Sequence, residues 1–204
     1  MNIGILGGTF DPPHIAHLVL ADECTHQLAL DRLLWVLTPD PPHKRSLRIT
    51  PLEHRLEMLQ MTIANHPGFE LSTVDIDRPP PHYAVDTVHR LAQAYPDACL
   101  YYLMGGDSYH DLPTWYRPRE LLQAVYKLGV VRRPGDGVDL TAMQALLPGI
   151  ADKTVLVDAP LLDISASDLR HRIAHGLPFR YFVLPDVYHL IVGRKLYRYD
   201  LDIP

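Results

Sequence analysis

Gly7-Gly8-Thr9-Phe10-Asp11-Pro12-Pro13-His14-Ile15-Ala16-His17 is the stretch that decides how this chain folds. An apolar run at residues 3–6 leads into it, and apolar residues at helical spacing over 18–30 follow it, so the order is strand, glycine turn, helix. Gly7 and Gly8 carry no side chain and reach backbone angles closed to other residues, which lets a phosphate approach the main chain at the start of a helix. Pro12 or Pro13 suits the first helical turn. His14 and His17, three apart, then share one helix face, where two imidazoles can donate hydrogen bonds to a charge-rich transition state. His-x-x-His is also a metal-ligand spacing. A zinc site needs a further ligand, however, and neither Cys24 nor Cys99 lies in a metal spacing, so no protein-bound metal is expected.

Working outward, strand-length apolar runs recur at 33–37, 69–76, 100–104, 128–131 and 154–157. Between them lie helix-like stretches. Thr50-Pro51-Leu52-Glu53 has the form of a capping box with proline at the first helical position, and Leu52, Leu56, Leu59 and Ile63 follow at a spacing of three to four. Residues 83–94 and 167–174 behave similarly. Strands alternating with helices imply parallel strands joined by crossovers. The expected fold is α/β: a doubly wound, mostly parallel, Rossmann-like sheet with ligands at the carboxyl ends of its strands. One domain is expected over residues 1–204, with a helical C-terminal part from about residue 165 packed on it. Arg78-Pro79-Pro80-Pro81-His82 reads as a stiff, exposed connection and residues 134–138 as a loop.

Apolar residues make up 47% of the chain and charged residues 21%, and no apolar run approaches membrane-spanning length, so a soluble globular protein is expected rather than one embedded in a membrane. Met1-Asn2-Ile3-Gly4 lacks the basic region of a signal peptide and the two cysteines form no disulfide framework, which makes the cytoplasm the expected compartment. Net charge is −5 with histidines neutral. With no basic cluster interleaved with aromatics, nucleic acid is not an expected partner, and basic groups must act locally on a small anionic ligand. Whether copies of the chain form a homo-oligomer is left open.

The string Gly8-Thr9-Phe10-Asp11-Pro12-Pro13-His14-Ile15-Ala16-His17 resembles the G-x-F-D-P-x-H-x-G-H motif of the nucleotidyltransferase superfamily that includes the bacterial nicotinate mononucleotide adenylyltransferases. Ala16 stands where that family usually has glycine. On its own, Asp163-Ile164-Ser165-Ala166-Ser167-Asp168-Leu169-Arg170 is a helix start capped by Ser165 or Ser167, and reads either as a plain Ser165-x-x-Asp168 capping box or as a small anion site formed by first-turn N–H groups, a hydroxyl and Arg170. It is similar to the family's I-S-S-T-x-I-R, with Ala166 in place of a serine. Gly105-Gly106-Asp107-Ser108, trailed by Leu112 to Tyr116, sits at another strand end. Asp107 there can accept from ribose hydroxyls or cap a helix, and Trp115 and Tyr116 can frame a flat ring or join the core. The segment resembles the family's G-x-D-x-x-x-x-L-x-x-W. His82-Tyr83-Ala84-Val85-Asp86-Thr87 is similar to S-Y-T-x-D-T, with Ala84 replacing a threonine. Pro41-Pro42-His43-Lys44, the downstream Arg55, Arg132-Arg133-Pro134-Gly135 and the ending from Leu184 to Tyr197 carry the resemblance nearly end to end.

The resemblance implies transfer of AMP from ATP to nicotinate mononucleotide, giving deamido-NAD and pyrophosphate, with Mg²⁺ carried by ATP. It places His17 and His14 at the reacting phosphate, and Gly8, Thr9, Phe10, Ile164, Ser165, Ser167 and Arg170 around ATP. Lys44, Tyr83, Ala84, Gly105, Asp107, Trp115, Tyr116 and one of Arg132 and Arg133, the latter preferred, would surround the mononucleotide. Nicotinamide mononucleotide as acceptor, a phosphopantetheine adenylyltransferase and a nucleotide-binding regulator without turnover are the alternatives. A serine hydrolase is disfavoured, because Gly106-Asp107-Ser108 lacks the Gly-x-Ser-x-Gly elbow.

Overall fold

In the first strand, β1 (Asn2–Gly8), Ile3 and Ile5 enter the core on one side of the sheet and Leu6 on the other. That is the period of a strand buried on both faces. The computed structural model describes residues 1–41, 49–132, 138–160 and 162–198. Within them β1 is joined by β2 (Arg32–Leu37), β3 (Phe69–Ser72), β4 (Cys99–Gly105), β5 (Lys127–Arg132) and β6 (Thr154–Asp158). All five pairings are parallel, in the order β3-β2-β1-β4-β5-β6. The strand order therefore reverses between β1 and β4, and doubly wound sheets open a ligand crevice at such a point.

Helices α1 (Ile15–Gln27) and α2 (Leu52–Ile63) cover one face, where Ala21, Cys24, Leu59 and Ile63 pack on Leu6, Leu33, Trp35, Leu37 and Leu103. The other face carries α3 (Ala84–Ala94), α4 (Gly106–Asp111), α5 (Pro118–Ala124), α6 (Leu140–Leu146) and α7 (Ile150–Lys153). A third apolar cluster joins α8 (Ala166–Ala174) and α9 (Pro185–Gly193) to the back of α2 through Met58. Among the described residues, no helix is long and apolar enough to cross a membrane.

Several local expectations need correction. α1 begins at Ile15 with an extended His14 as its N-cap, so Pro12 and Pro13 precede the helix, and it ends at Gln27, before Ala29 with φ +48°. β3 stops at Ser72 rather than running to residue 76: it is an edge strand, its last partner on β2 is Val36, and the chain then turns to bury Asp75. The capping box at Thr50 does not form. Pro51 is the N-cap of α2 without a side-chain cap bond, while the Thr50 backbone is held by other partners described below. The Arg78–His82 connection exposes its three prolines but buries both ends, Arg78 and His82.

Candidate active site

β1 delivers Gly7 and Gly8 to the carboxyl edge of the sheet, where space rather than backbone angle requires glycine. Both lie in the strand, and among the described residues only Gly149 and Gly176 are glycines of positive φ. A Cβ on Gly8 would stand 2.9–3.1 Å from the Phe10 ring, and one on Gly7 would stand 3.1 Å from the Tyr102 hydroxyl oxygen. Phe10 itself takes φ +45°, a left-handed conformation that costs a non-glycine residue about 1 kcal/mol or more. Its buried ring packs edge-on to His17 at 5.1 Å and against Trp35 at 5.3 Å. Burial, reinforced by Asp75, holds the Tyr102 hydroxyl well above its usual pKa, so it meets the cleft as a neutral group.

His14 and His17 stack with ring centroids 3.7 Å apart, His14 buried and His17 lining the cleft. The backbone N–H of His14 donates to His17 Nδ1 at 3.2 Å. With Nδ1 an acceptor, the neutral His17 ring carries its proton on Nε2.

Beneath this turn lies a buried polar hub. Asp11 accepts from the Tyr197 hydroxyl at Oδ1 (2.8 Å) and from the Thr50 N–H at Oδ2 (3.2 Å), and its backbone carbonyl accepts from Arg170 Nη1 (2.7 Å). Arg55, only 2% exposed, donates to four backbone carbonyls: Thr50 (2.8 Å), Thr9 (3.0 Å), Thr38 (2.9 Å) and Pro39 (2.8 Å). Burial lowers its pKa and the Asp11 charge opposes that fall. Arg55 does not face the cleft: its donors are spent on the loops that follow β1 and β2. Burial and the neighbouring Asp11 also push the Tyr197 hydroxyl far above its ordinary pKa.

A second polar cluster supports the opposite wall. Arg78 Nε and Nη2 reach Asp75 Oδ1 at 2.9 and 2.8 Å, and Arg78 Nη2 also donates to the Tyr83 carbonyl at 3.3 Å. The Thr87 hydroxyl donates to Asp75 at 2.8 Å. Above them Tyr83 and Tyr116 stack at 4.1 Å, and Trp115 packs edge-on to Tyr102 at 6.1 Å.

One cleft of about 660 Å³ joins these parts. Of the expected site residues, Gly8, Thr9, Phe10, His17, Tyr83, Ala84, Trp115, Tyr116 and Arg170 line it; His14, Ile164, Ser165, Ser167, Gly105 and Asp107 are not in its wall. Ser165 caps α8 by accepting from the Asp168 N–H at 3.0 Å, and Ala166 and Arg170 supply that helix's contact with the cleft. Asp107 is exposed on α4, which lines the cleft with Ser108 and Asp111 instead. Arg132 turns to Asp158 at 2.7 Å; Lys44 and Arg133 lie outside the described residues. Asp75, Thr87, Tyr102, Ser108 and Asp111 also line the cleft and were missed from sequence. Thr87 had a signal, since it follows Tyr83 by one helical turn; Asp75 had only its place as a charge in an apolar run.

A family model described as cytidylyltransferase-like matches residues 5–172. A probable nicotinate-nucleotide adenylyltransferase of Thermomicrobium roseum is 45% identical over 97% of this chain and 92% of its own length. A protein of the same description from a Roseiflexus species is 40% identical over 96% of this chain and 98% of its own. In fold, the chain is similar to Plasmodium falciparum nicotinic acid mononucleotide adenylyltransferase complexed with NaAD, with a TM-score of 0.82, 21% identity, and coverage of 98% of this chain and 99% of that one.

Proposed function

We propose, for a chain that belongs to the cytidylyltransferase-like family, the reaction for which its relatives are named: it joins nicotinate mononucleotide to the adenylyl group of ATP. A phosphate oxygen of the mononucleotide attacks the α-phosphorus of ATP. The bond from that phosphorus to the bridging oxygen breaks, pyrophosphate leaves, and deamido-NAD, the precursor of NAD, remains. The attacking phosphate is already ionised at neutral pH, so the protein needs no strong base; alignment and charge stabilisation carry the chemistry. His17 donates through Nε2 to the α-phosphate, with His14 stacked behind it. Arg170, which lines the cleft from the middle of α8, meets the outer phosphates. Mg²⁺ enters with the triphosphate as part of that substrate. The observation that carries this reading is the single cleft, running from Gly8, His17 and Arg170 to Tyr83, Ala84 and Tyr116 across the strand-order reversal. It lets two anionic nucleotides meet end to end over His17.

The same wall favours nicotinate over nicotinamide. α3 starts at Ala84 without a side-chain cap, and Ala84 lines the cleft. A helix N-terminus offers backbone N–H groups and a positive dipole end to a carboxylate. The Arg78 guanidinium, its charge matched by Asp75, donates to the N-cap carbonyl of Tyr83 and fixes that helix start in place. Ala84 omits a hydroxyl but keeps its backbone N–H.

The test is pyrophosphate release with ATP and Mg²⁺, offering nicotinate mononucleotide, nicotinamide mononucleotide and phosphopantetheine separately. Turnover with the first, and at least tenfold less with the others, is expected. Release with phosphopantetheine alone, or with none of the three, refutes the reading.

A further inference from the structure

We propose that Tyr197, near the end of the chain, is a positioning residue for the nucleotide site: by fixing Asp11 it sets the backbone carbonyl that aims Arg170. This rests on the reading of Arg170 as an ATP contact. Three parts of the chain converge on Asp11, which lies only three residues from His14. Its carboxylate takes the Tyr197 hydroxyl on one oxygen and the Thr50 N–H on the other, while its carbonyl takes one arm of Arg170. Asp11 and Tyr197 are both buried. Arg170 also lines the cleft, so the guanidinium anchored on Asp11 is the one presented to ligand.

Packing alone does not require this hydroxyl. The Tyr197 ring belongs to the apolar cluster of α8 and α9, with its oxygen 4.0 Å from the Met58 sulfur, and a phenylalanine would fill that space. Yet Tyr197 is held at φ +62°, where a bulky residue is strained. Such strain persists only where the surroundings over-determine it, and it clusters at functional sites. Removing the hydroxyl leaves a buried carboxylate oxygen with its charge and without that donor. The carboxylate would then reorient, and the carbonyl of the same residue with it. The C-terminal segment thus acts on the triphosphate end of the cleft and leaves the acceptor wall of Asp75 and Arg78 untouched.

Steady-state kinetics on the full chain, with Tyr197→Phe, Arg170→Ala and the double variant, test this. Tyr197→Phe should raise KM for ATP by about threefold to tenfold while KM for nicotinate mononucleotide stays within twofold. In the Arg170→Ala background the second substitution should add no further rise, because its route through Arg170 is gone. If Tyr197→Phe does not fold, Asp11→Asn breaks the link from the other side, since the two donors reach opposite oxygens and the amide NH2 would face one of them, and the same ATP-selective rise is expected. Equal rises in both KM values, or effects of Tyr197→Phe and Arg170→Ala that multiply, overturn the proposal. An unchanged KM for ATP in Arg170→Ala itself would instead remove the reading of Arg170 on which the proposal stands.

Discussion

Replacing Arg55 by methionine should unfold the protein more easily and slow it, rather than weaken one substrate. Its guanidinium makes four hydrogen bonds to backbone carbonyls at 2.8–3.0 Å, from a side chain 2% exposed. A hydrogen bond from a charged donor is worth about 1.5 kcal/mol at the low end, and carbonyls left buried without donors lose at least as much. Four such bonds sum to roughly 6 kcal/mol, and they share one donor group, so they do not add fully. Methionine also returns some apolar burial, which leaves a net loss of about 4 kcal/mol. For a chain of this size about 4 kcal/mol corresponds to a fall in Tm of roughly 8–16 °C. Two of the acceptors, Thr9 and Thr38, line the cleft, so kcat should fall with stability. Arg55→Lys keeps the charge without the planar fork and should lose about half as much. Urea unfolding and thermal melts, paired with kinetics in both substrates, read this directly. A variant that melts within about 2 °C of the parent while KM for one substrate rises would show that Arg55 binds ligand, and would refute its role as a loop clamp.

His17→Ala should cut kcat by more than about tenfold, the loss of a preorganised donor to the transition state, with Tm lowered by only about 2–4 °C for the lost bond to the His14 N–H; an unaltered kcat in the folded variant removes His17 from the chemistry. Gly8→Ala should reduce both kcat and stability, because its methyl would lie 2.9–3.1 Å from the Phe10 ring, and Phe10→Leu in the same chain should restore part of the stability. If Gly8→Ala is silent, the tight approach at this turn is not real. Thiol labelling at pH 8 should modify one cysteine of the native protein. Cys24 is buried and its pKa is pushed up to about 12, whereas Cys99 is half-buried. Reaction of Cys24 without unfolding, read by peptide mass, contradicts the packing of α1.

The six strands and the helices α1, α2, α3 and α8 were legible because each repeats a simple period. Strands buried on both faces read as continuous apolar runs, and helices show an apolar stripe. The errors fall where a local pattern meets a tertiary partner. Thr50-Pro51-Leu52-Glu53 carries the letters of a capping box, but the Thr50 N–H goes to Asp11 and its carbonyl to Arg55. The apolar run after Phe69 looked like one long strand, but β2 offers no partner beyond Val36 and Asp75 turns inward to Arg78. Within the site, the residues at the first glycine turn were readable because their spacing is local. Asp107 and Ser108 shared one motif, and only helical phase, which a six-residue helix barely defines, put Ser108 rather than Asp107 in the wall.

The hub beneath the turn was harder to read, because Asp11, Arg55, Arg170 and Tyr197 are joined across as many as 186 positions. One of them nonetheless left a trace in the sequence. The buried positions of α2 are Arg55, Met58, Leu59, Thr62 and Ile63, the i, i+3, i+4, i+7, i+8 stripe of a core-facing helix, with an arginine at its head. A charge in that phase is almost never left buried without partners, since desolvating it alone costs several kcal/mol. The stripe therefore demands a carboxylate or several carbonyls above the start of α2. The first glycine turn, with Thr9 and Asp11 at the edge of β1, lies within reach. The turn that orients His17 and the helix that looked like scaffold thus form one unit: α2 holds the loops that follow β1 and β2 through Arg55, and Asp11, bound to the Thr50 N–H at the start of α2, accepts from Arg170.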